Sequence, residues 1–294
     1  MRKSVARVLG VCSRSMRTVL DALEHAPRML NFLRGLVEFR PREDDIFIVT
    51  YPRSGTTWMQ MVLYQLTTDG RMDFTHISEV SPWFERSLAL GTAEAQDFES
   101  LPSPRIFKSH LPHMWLPGGC RYIYITRDVA DVAVSYYHLY RSHLGFEGSF
   151  SDFLKRFTSG RVQYKSWFKH VAGWKTRRGE PGVLFVRYED MLASLKSVIG
   201  EVAGFCGLEV GGATLDRVLR RCDFEFMKRH QDKFDHATKV LLDRGIRQDS
   251  FIRKGGGGEG ADRMTGRQKE SLRRMLGKPV KHPTIELDLA EFLK

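Results

Sequence analysis

The sequence predicts an α/β fold: a single domain with a central, mostly parallel sheet flanked by helices and a P-loop-like anion-binding turn after the first strand. Three observations predict it. Short runs that are apolar throughout alternate with helix-compatible segments, the pattern of parallel strands buried on both faces. Turn chemistry from Pro52 to Thr57 joins the first such run directly to a helical segment. Cationic and hydrogen-bonding residues fall just beyond the ends of three runs, where ligands sit in open α/β sheets. The 294 residues are enough for one large core, and 42% hydrophobic with 28% charged residues is the balance of a folded globular chain.

Taken in order, residues 1–40 read as a basic helical arm. Val5, Val8, Leu9, Val11, Met16, Val19, Leu20 and Leu23 recur at roughly helical spacing, with Arg7, Arg14 and Arg17 on the faces between them. Such an arm can make peripheral contact with an anionic membrane surface. Packing against the main body is the commoner outcome and the expectation here. Pro41 and Glu43-Asp44-Asp45 close the arm, and residues 41–294 form the main domain.

The opening strand runs to Thr50 and meets the turn Tyr51-Pro52-Arg53-Ser54-Gly55-Thr56-Thr57-Trp58, after which Met59 to Leu66 continues as a helix. At such a junction the first backbone N–H groups of the helix have no internal partner, and the helix dipole adds partial positive charge. Gly55 lets the backbone approach an anion closely. Ser54, Thr56 and Thr57 offer hydroxyls, and Arg53 adds a forked, permanent charge. Without a Lys before the Thr pair this is no Walker A loop. Residues 75–104 show little periodicity and read as an irregular insertion of the kind that builds substrate pockets.

A second strand, Arg105 to Ser109, runs into His110. A third, Arg121 to Thr126, meets Arg127 and then Asp128, the expected N-cap of a helix through Val129, Val132, Ala133, Tyr136 and Tyr137. Helical patterns fill Phe150 to Lys175. Val183 to Tyr188 is a fourth strand, and Met191 to Cys206 is a helix stopped near Gly207. The tail from Leu215 is helical and charged, interrupted by Arg253-Lys254 and a run of four glycines. That run is either a flexible loop or a lid whose cations and N–H groups grip a phosphate.

A formal net charge of +11 predicts attraction to anions. Loose nucleic-acid affinity is the bland alternative, and no nucleic-acid partner is expected. Cys12, Cys120, Cys206 and Cys222 lie far apart without a C-x-x-C pair, which argues against a disulfide framework and fits a reducing compartment. No apolar run approaches membrane-spanning length, so the expected location is cytoplasmic. His110 and His113 flank Pro112 with no third ligand at suitable spacing, and no metal is expected.

Four stretches together resemble the cytosolic-type sulfotransferases: Thr50 to Trp58, Lys108-Ser109-His110-Leu111-Pro112, Arg127 with Ser135, and Arg253-Lys254-Gly255. They fall in that family's order across about Asp45 to Thr265. The resemblance implies 3′-phosphoadenosine 5′-phosphosulfate as co-substrate. It places Arg53, Ser54, Gly55, Thr56 and Thr57 around the phosphosulfate. Arg127, Ser135, Arg253, Lys254 and Gly255 fall around the 3′-phosphate, and Trp58, Tyr188 and Phe224 around the adenine. It makes His110 the base and gives Lys108 and Arg53 the charge developing on the sulfuryl and phosphate oxygens. Arg53 stands where many members have Lys, and an Arg stabilises charge rather than donating a proton. The family's dimer motif survives only as Thr265-Gly266 and Glu270, leaving monomer and homodimer both open.

Trp83, Phe84 and Tyr137 are expected to line an apolar acceptor pocket for a phenol, a steroid-like alcohol or a lipid alcohol. Two other readings share the anion cradle: a P-loop-type small-molecule kinase and a non-catalytic nucleotide-binding protein. The first would need a magnesium-binding carboxylate and a Walker Lys. The second gives no reason for a Lys and a His together at one strand end.

Overall fold

The computed structural model describes residues 26–91, 97–235, 252–277 and 289. The arm up to residue 25 and its arginines lie outside them. So does the part of the predicted helical tail over residues 236–251.

Four parallel strands form the sheet: β1 (Ile46–Thr50), β2 (Ile106–Ser109), β3 (Arg121–Thr126) and β4 (Val183–Arg187), in the order β2-β1-β3-β4. The register pairs Ile46 with Ile106 and Arg121, and Tyr122 with Val183. β1 is one of the two interior strands and every one of its residues is buried, which explains its unbroken β-branched and aromatic run. β4 departs from the expectation: as an edge strand it is only partly covered, and Val186 alone is buried.

Alternation along the strands sorts their side chains onto two cores. Ile46, Ile48, Ile123 and Ile125 face α2 (Thr56–Thr67), α8 (Leu195–Cys206) and α9 (Gly212–Arg221) in one apolar cluster. Phe47, Val49, Phe107, Tyr122 and Tyr124 face a second cluster containing Phe84, Phe98 and Trp174. A third cluster gathers α4 (Val129–His143), α5 (Phe150–Thr158) and α6 (Trp167–Lys175) around Tyr136, Phe153 and Trp167. At the start of the sheet Arg105 binds Asp45 through two hydrogen bonds of 2.7 Å, with both side chains fully buried. A bidentate pair of this kind ties the start of β2 to that of β1.

The expected long helices are broken where the chain must turn. Phe150 to Lys175 divides into α5 and α6, and the turn between them holds Tyr164 at φ 61° and Lys165 at φ 57°. The helix around Met191 divides at Ser194, whose hydroxyl accepts from Ser197 N to start α8 after the short α7 (Tyr188–Ala193). Within the weakly periodic stretch after Thr75, α3 (Phe84–Leu90) forms, an element its periodicity did not suggest. The first helix, α1, covers residues 26–38, and Leu36 on it and Phe39 just after it pack against the second cluster. Among the described residues no helix is long and apolar enough to cross a membrane.

Candidate active site

All four strands run the same way, so their C-terminal ends open on one side. A cavity of about 300 Å³ lies there. Arg53 and Gly55 line it from beyond β1, Lys108 and His110 from β2, Arg127 from β3 and Tyr188 from β4.

The turn after β1 is shaped for an anion. Gly55 is left-handed at φ 100° and occupies the N-cap position of α2 with no side-chain cap, so the first N–H groups of that helix are not taken by a capping side chain. A Cβ on Gly55 would stand 2.7 Å from the Tyr188 ring. Arg53 is itself left-handed at φ 73°, a conformation a non-glycine residue adopts at a cost of order 1 kcal/mol. That geometry sends its guanidinium across to α4, where Nε donates to Ser135 Oγ at 3.0 Å.

Arg127 stitches the parts together. It donates to the Arg53 carbonyl at 3.1 Å and the Gly256 carbonyl at 2.9 Å, and its guanidinium lies 4.2 Å from the centre of the Tyr188 ring. Its Nε is buried with no hydrogen-bond partner among the described residues. Burial, and then the charges of Arg127 and Arg253, lower the Arg53 pKa to about 10, which still leaves it cationic at neutral pH. Such a cluster of cations is stabilised by a polyanion.

The glycine-rich stretch is a docked strap. Asp131 on α4 accepts from Gly258 N at 2.8 Å and Gly260 N at 2.7 Å. Arg253 pairs bidentately with Glu259, and Lys254 stands 3.6 Å from the same carboxylate. Gly255 packs so tightly on Phe224 that a Cβ would come within 2.0 Å of its ring. Trp58, Tyr188 and Phe224 line the cavity together, and Trp58 Nε1 donates to the Cys222 carbonyl at 2.8 Å. Asp223 has a structural task, capping α10 (Phe224–Arg229) by accepting from Glu225 N at 2.8 Å.

His110 is held by its backbone surroundings. Its Nδ1 lies 2.9 Å from the Thr50 carbonyl, which only accepts, so Nδ1 carries the proton and Nε2 of the neutral ring keeps its lone pair. Burial and the neighbouring Lys108 charge hold its pKa well below the usual imidazole range. Lys108 places Nζ 4.1 Å from the centre of the Trp83 ring. Burial, partly offset by Glu85, lowers its pKa to about 8. Neutral imidazole and cationic amine therefore stand together at the end of β2 at neutral pH.

Most of the residues expected from the sequence meet at this cavity. Ser54 is buried behind the turn and does not line it. Phe84 is a correction: Trp83 lines the cavity, while Phe84 points the other way and is fully buried in the second core. Tyr137 is another. It packs into the third cluster and donates to the Gly148 carbonyl at 3.3 Å, and its neighbour Tyr136 is the wall residue. Sequence reasoning missed Glu85, Tyr164, Asp131, His143, Asp235 and Glu259. Asp131 lies between Arg127 and Ser135 and Glu259 just after Arg253-Lys254-Gly255, but no residue pattern marked a role for either, and Glu85, Tyr164, His143 and Asp235 meet their partners through long-range packing.

A parallel α/β sheet whose strand ends converge on a cationic, helix-capped cavity with a His–Lys pair defines a group-transferring enzyme of the nucleotide-anion-binding kind. Comparison with known proteins gives the family. The sulfotransferase domain model matches residues 43–282. Dog Sulfotransferase 1B1 is 33% identical over 270 residues, covering 87% of this chain and 90% of that protein. Rabbit Amine sulfotransferase is 30% identical over 263 residues, with 86% of each chain covered. Among solved structures, mouse sulfotransferase SULT7A1 complexed with PAP matches at a TM-score of 0.67 and 28% identity, over 84% of this chain and 87% of that one. Retinol dehydratase in complex with androsterone and PAP shares the fold at a TM-score of 0.71 and 22% identity, over 87% and 88%. The chain belongs to the sulfotransferase family. Its activity is sulfuryl transfer.

Proposed function

We propose that the chain moves a sulfuryl group from 3′-phosphoadenosine 5′-phosphosulfate to the hydroxyl, or less often the amine, of a small apolar acceptor, with His110 as the base. The observation that carries this reading is the His110 ring. It is buried, neutral, fixed through Nδ1 to Thr50, and presented to the cavity beside a cationic Lys108.

The residues present fit such a nucleotide. The uncapped start of α2 and the Arg53 guanidinium suit the 5′-phosphosulfate. Ser135, Arg127 with its unpartnered Nε, and the strap carrying Arg253 and Lys254 suit the 3′-phosphate. Trp58, Tyr188 and Phe224 offer aromatic faces to a base. The 28% identical mouse enzyme, solved with PAP, supports the same assignment. When bound, the nucleotide supplies the sulfuryl group and leaves as the 3′,5′-bisphosphate. His110 Nε2 takes the acceptor's hydroxyl proton, Lys108 faces the transferring oxygens, and Arg53 meets the charge left on the phosphate.

The test is donor-dependent release of adenosine 3′,5′-bisphosphate over a panel of phenols and alcohols, with His110→Ala alongside. A general base contributes about 10²- to 10⁴-fold, so turnover should fall by that factor while bisphosphate affinity stays near wild type. Wild-type turnover in the variant would sink the base assignment. Tight bisphosphate binding with no acceptor turned over would favour a binding protein.

A further inference from the structure

α1 meets the body with one face and leaves another open. Leu36 and, just past the helix end, Phe39 pack on the second cluster. Gly35 lets the helix lie close to α3, since a Cβ there would stand 2.7 Å from Leu88 Cδ2. On the open side Met29, Leu30, Leu33 and Val37 are all exposed, Val37 by 76%. At about 3.6 residues per turn these positions fall within an arc of about 100°, a stripe roughly 12 Å long on one side of the helix. The turn after β2 continues it. There the Trp115 ring lies 6.1 Å from that of Phe32 on α1, and Trp115 is 43% exposed beside Met114 at 80%. Nine large apolar side chains are exposed among the described residues, and six of them gather here. Scattered singly they would need no explanation, whereas a contiguous set marks a contact surface.

The charges around the stripe are mostly positive. Arg28 is exposed in the first turn of α1, and Arg40 is exposed just past its end, where Nη1 donates to the Val37 carbonyl at 3.0 Å. Arg34 is half exposed and stands 3.8 Å from Glu38, the one acidic residue of the helix. Over residues 1–40 eight Lys and Arg stand against three Asp and Glu, an excess close to half of the chain's formal net charge of +11.

We propose that this face of α1, together with Met114 and Trp115, docks on an anionic lipid bilayer and holds the enzyme at the membrane surface. A helix of this make-up lies in the interface plane, with its apolar side among the acyl chains and its arginines reaching up to the lipid phosphates. A tryptophan at its edge suits the headgroup level, where one side of the ring is wet and the other apolar. Charge selects this occupant over two others. A second copy brings the same positive field to the contact, and residues 1–25 carry five Lys and Arg against two Asp and Glu. Neither offsets Arg28, Arg34 and Arg40, whereas anionic headgroups do. The inference holds whichever acceptor the site takes.

The experiment is flotation of the full chain with vesicles of phosphatidylcholine alone and of phosphatidylcholine mixed equally with phosphatidylglycerol, at low and at physiological salt. The wild type should float with the anionic vesicles and not with the neutral ones, and less at the higher salt. Leu30→Gln combined with Val37→Gln should weaken the partition at least about tenfold, because two apolar side chains no longer enter the bilayer. Trp115→Phe should keep the binding but lose most of the blue shift in tryptophan emission that anionic vesicles produce in the wild type. Unchanged circular dichroism and bisphosphate affinity show that both variants are folded. A wild type that does not float with the anionic vesicles overturns the proposal. So does binding that the double variant retains in full, since charge alone then carries it. A wild-type dimer that the double variant loses, seen by analytical ultracentrifugation without vesicle binding, assigns the face to a second copy instead.

Discussion

Glu85 shows how one side chain positions several groups of the site. Its Oε1 accepts from His110 N at 2.9 Å, Trp83 Nε1 at 2.7 Å and Tyr164 OH at 3.1 Å. It thereby ties the end of β2 to α3 and to the turn before α6. Its other oxygen is buried without a hydrogen-bond partner among the described residues, and its charge supports the cationic form of Lys108 against burial and the fields of Arg86 and Arg53. Lys108 is charged below about 8 and neutral above it, so activity that needs the cation declines as pH rises through that value. His110 is also within reach of the Lys108 charge, and loss of that charge makes its ring easier to protonate. Glu85→Gln keeps an oxygen for the three donors and removes the charge. The alkaline limb of kcat/KM against pH should therefore move to lower pH, with a loss on the order of threefold at pH 7.5. A merely structural role would lower the whole profile evenly, so an unmoved limb would end the positioning argument. This residue was not legible in the sequence, because its partners His110 and Tyr164 lie 25 and 79 positions away. Phe84 and Tyr137 were misread for a related reason. Each neighbours a true wall residue, but adjacent positions on a helix or beside a strand point to different faces, and only the packed core shows which is which.

Strands, caps and the turn after β1 were the most legible elements, since each is set by residues within one turn of chain. Asp128 caps α4 through Asp131 N as its position predicted, and Gly207 ends α8 in the left-handed conformation. The strap was not, because its order comes from α4. Asp131 takes both Gly258 N and Gly260 N, an arrangement spanning 127 and 129 residues of sequence. A glycine run alone reads as flexible, and nothing in it reports an acceptor waiting on another helix. The contact is tight at one glycine and loose at another. A Cβ on Gly260 would stand 2.3 Å from the Ala130 carbonyl carbon, whereas one on Gly257 would meet nothing closer than 3.5 Å. Gly260→Ala should therefore undock the strap and weaken bisphosphate binding by about tenfold or more, the worth of one or two hydrogen bonds to a carboxylate. Gly257→Ala should bind within about twofold of wild type. Titration calorimetry with adenosine 3′,5′-bisphosphate distinguishes them, and equal affinities would mean that strap docking does not serve the nucleotide.

Across the whole molecule, the sheet was readable as a parallel, doubly covered layer because its strands are apolar throughout. The way the layers are pinned to each other was not, because that depends on buried polar groups with distant partners. His170 on α6 is one such pin. Its Nε2 donates to the His110 carbonyl at 3.1 Å and its Nδ1 accepts from Tyr124 OH at 3.0 Å, which joins α6 to β3 and to the end of β2. Accepting at Nδ1 requires the neutral ring, and burial lowers its pKa to about 4. In the unfolded chain the ring titrates near 6.5, so between these values the unfolded state holds the extra proton and stability falls as pH falls. At pH 5 the loss from this one group is about 2 kcal/mol relative to pH 7.5. His110 adds to it in the same direction, since its folded pKa is also depressed. Urea unfolding at the two pH values should show the wild type losing at least that much. His170→Gln keeps a donor and an acceptor without a titrating ring and should lose about 2 kcal/mol less over the same interval, even if it is less stable at pH 7.5. The same acid sensitivity in both proteins would mean that His170 is not what makes this layer depend on pH.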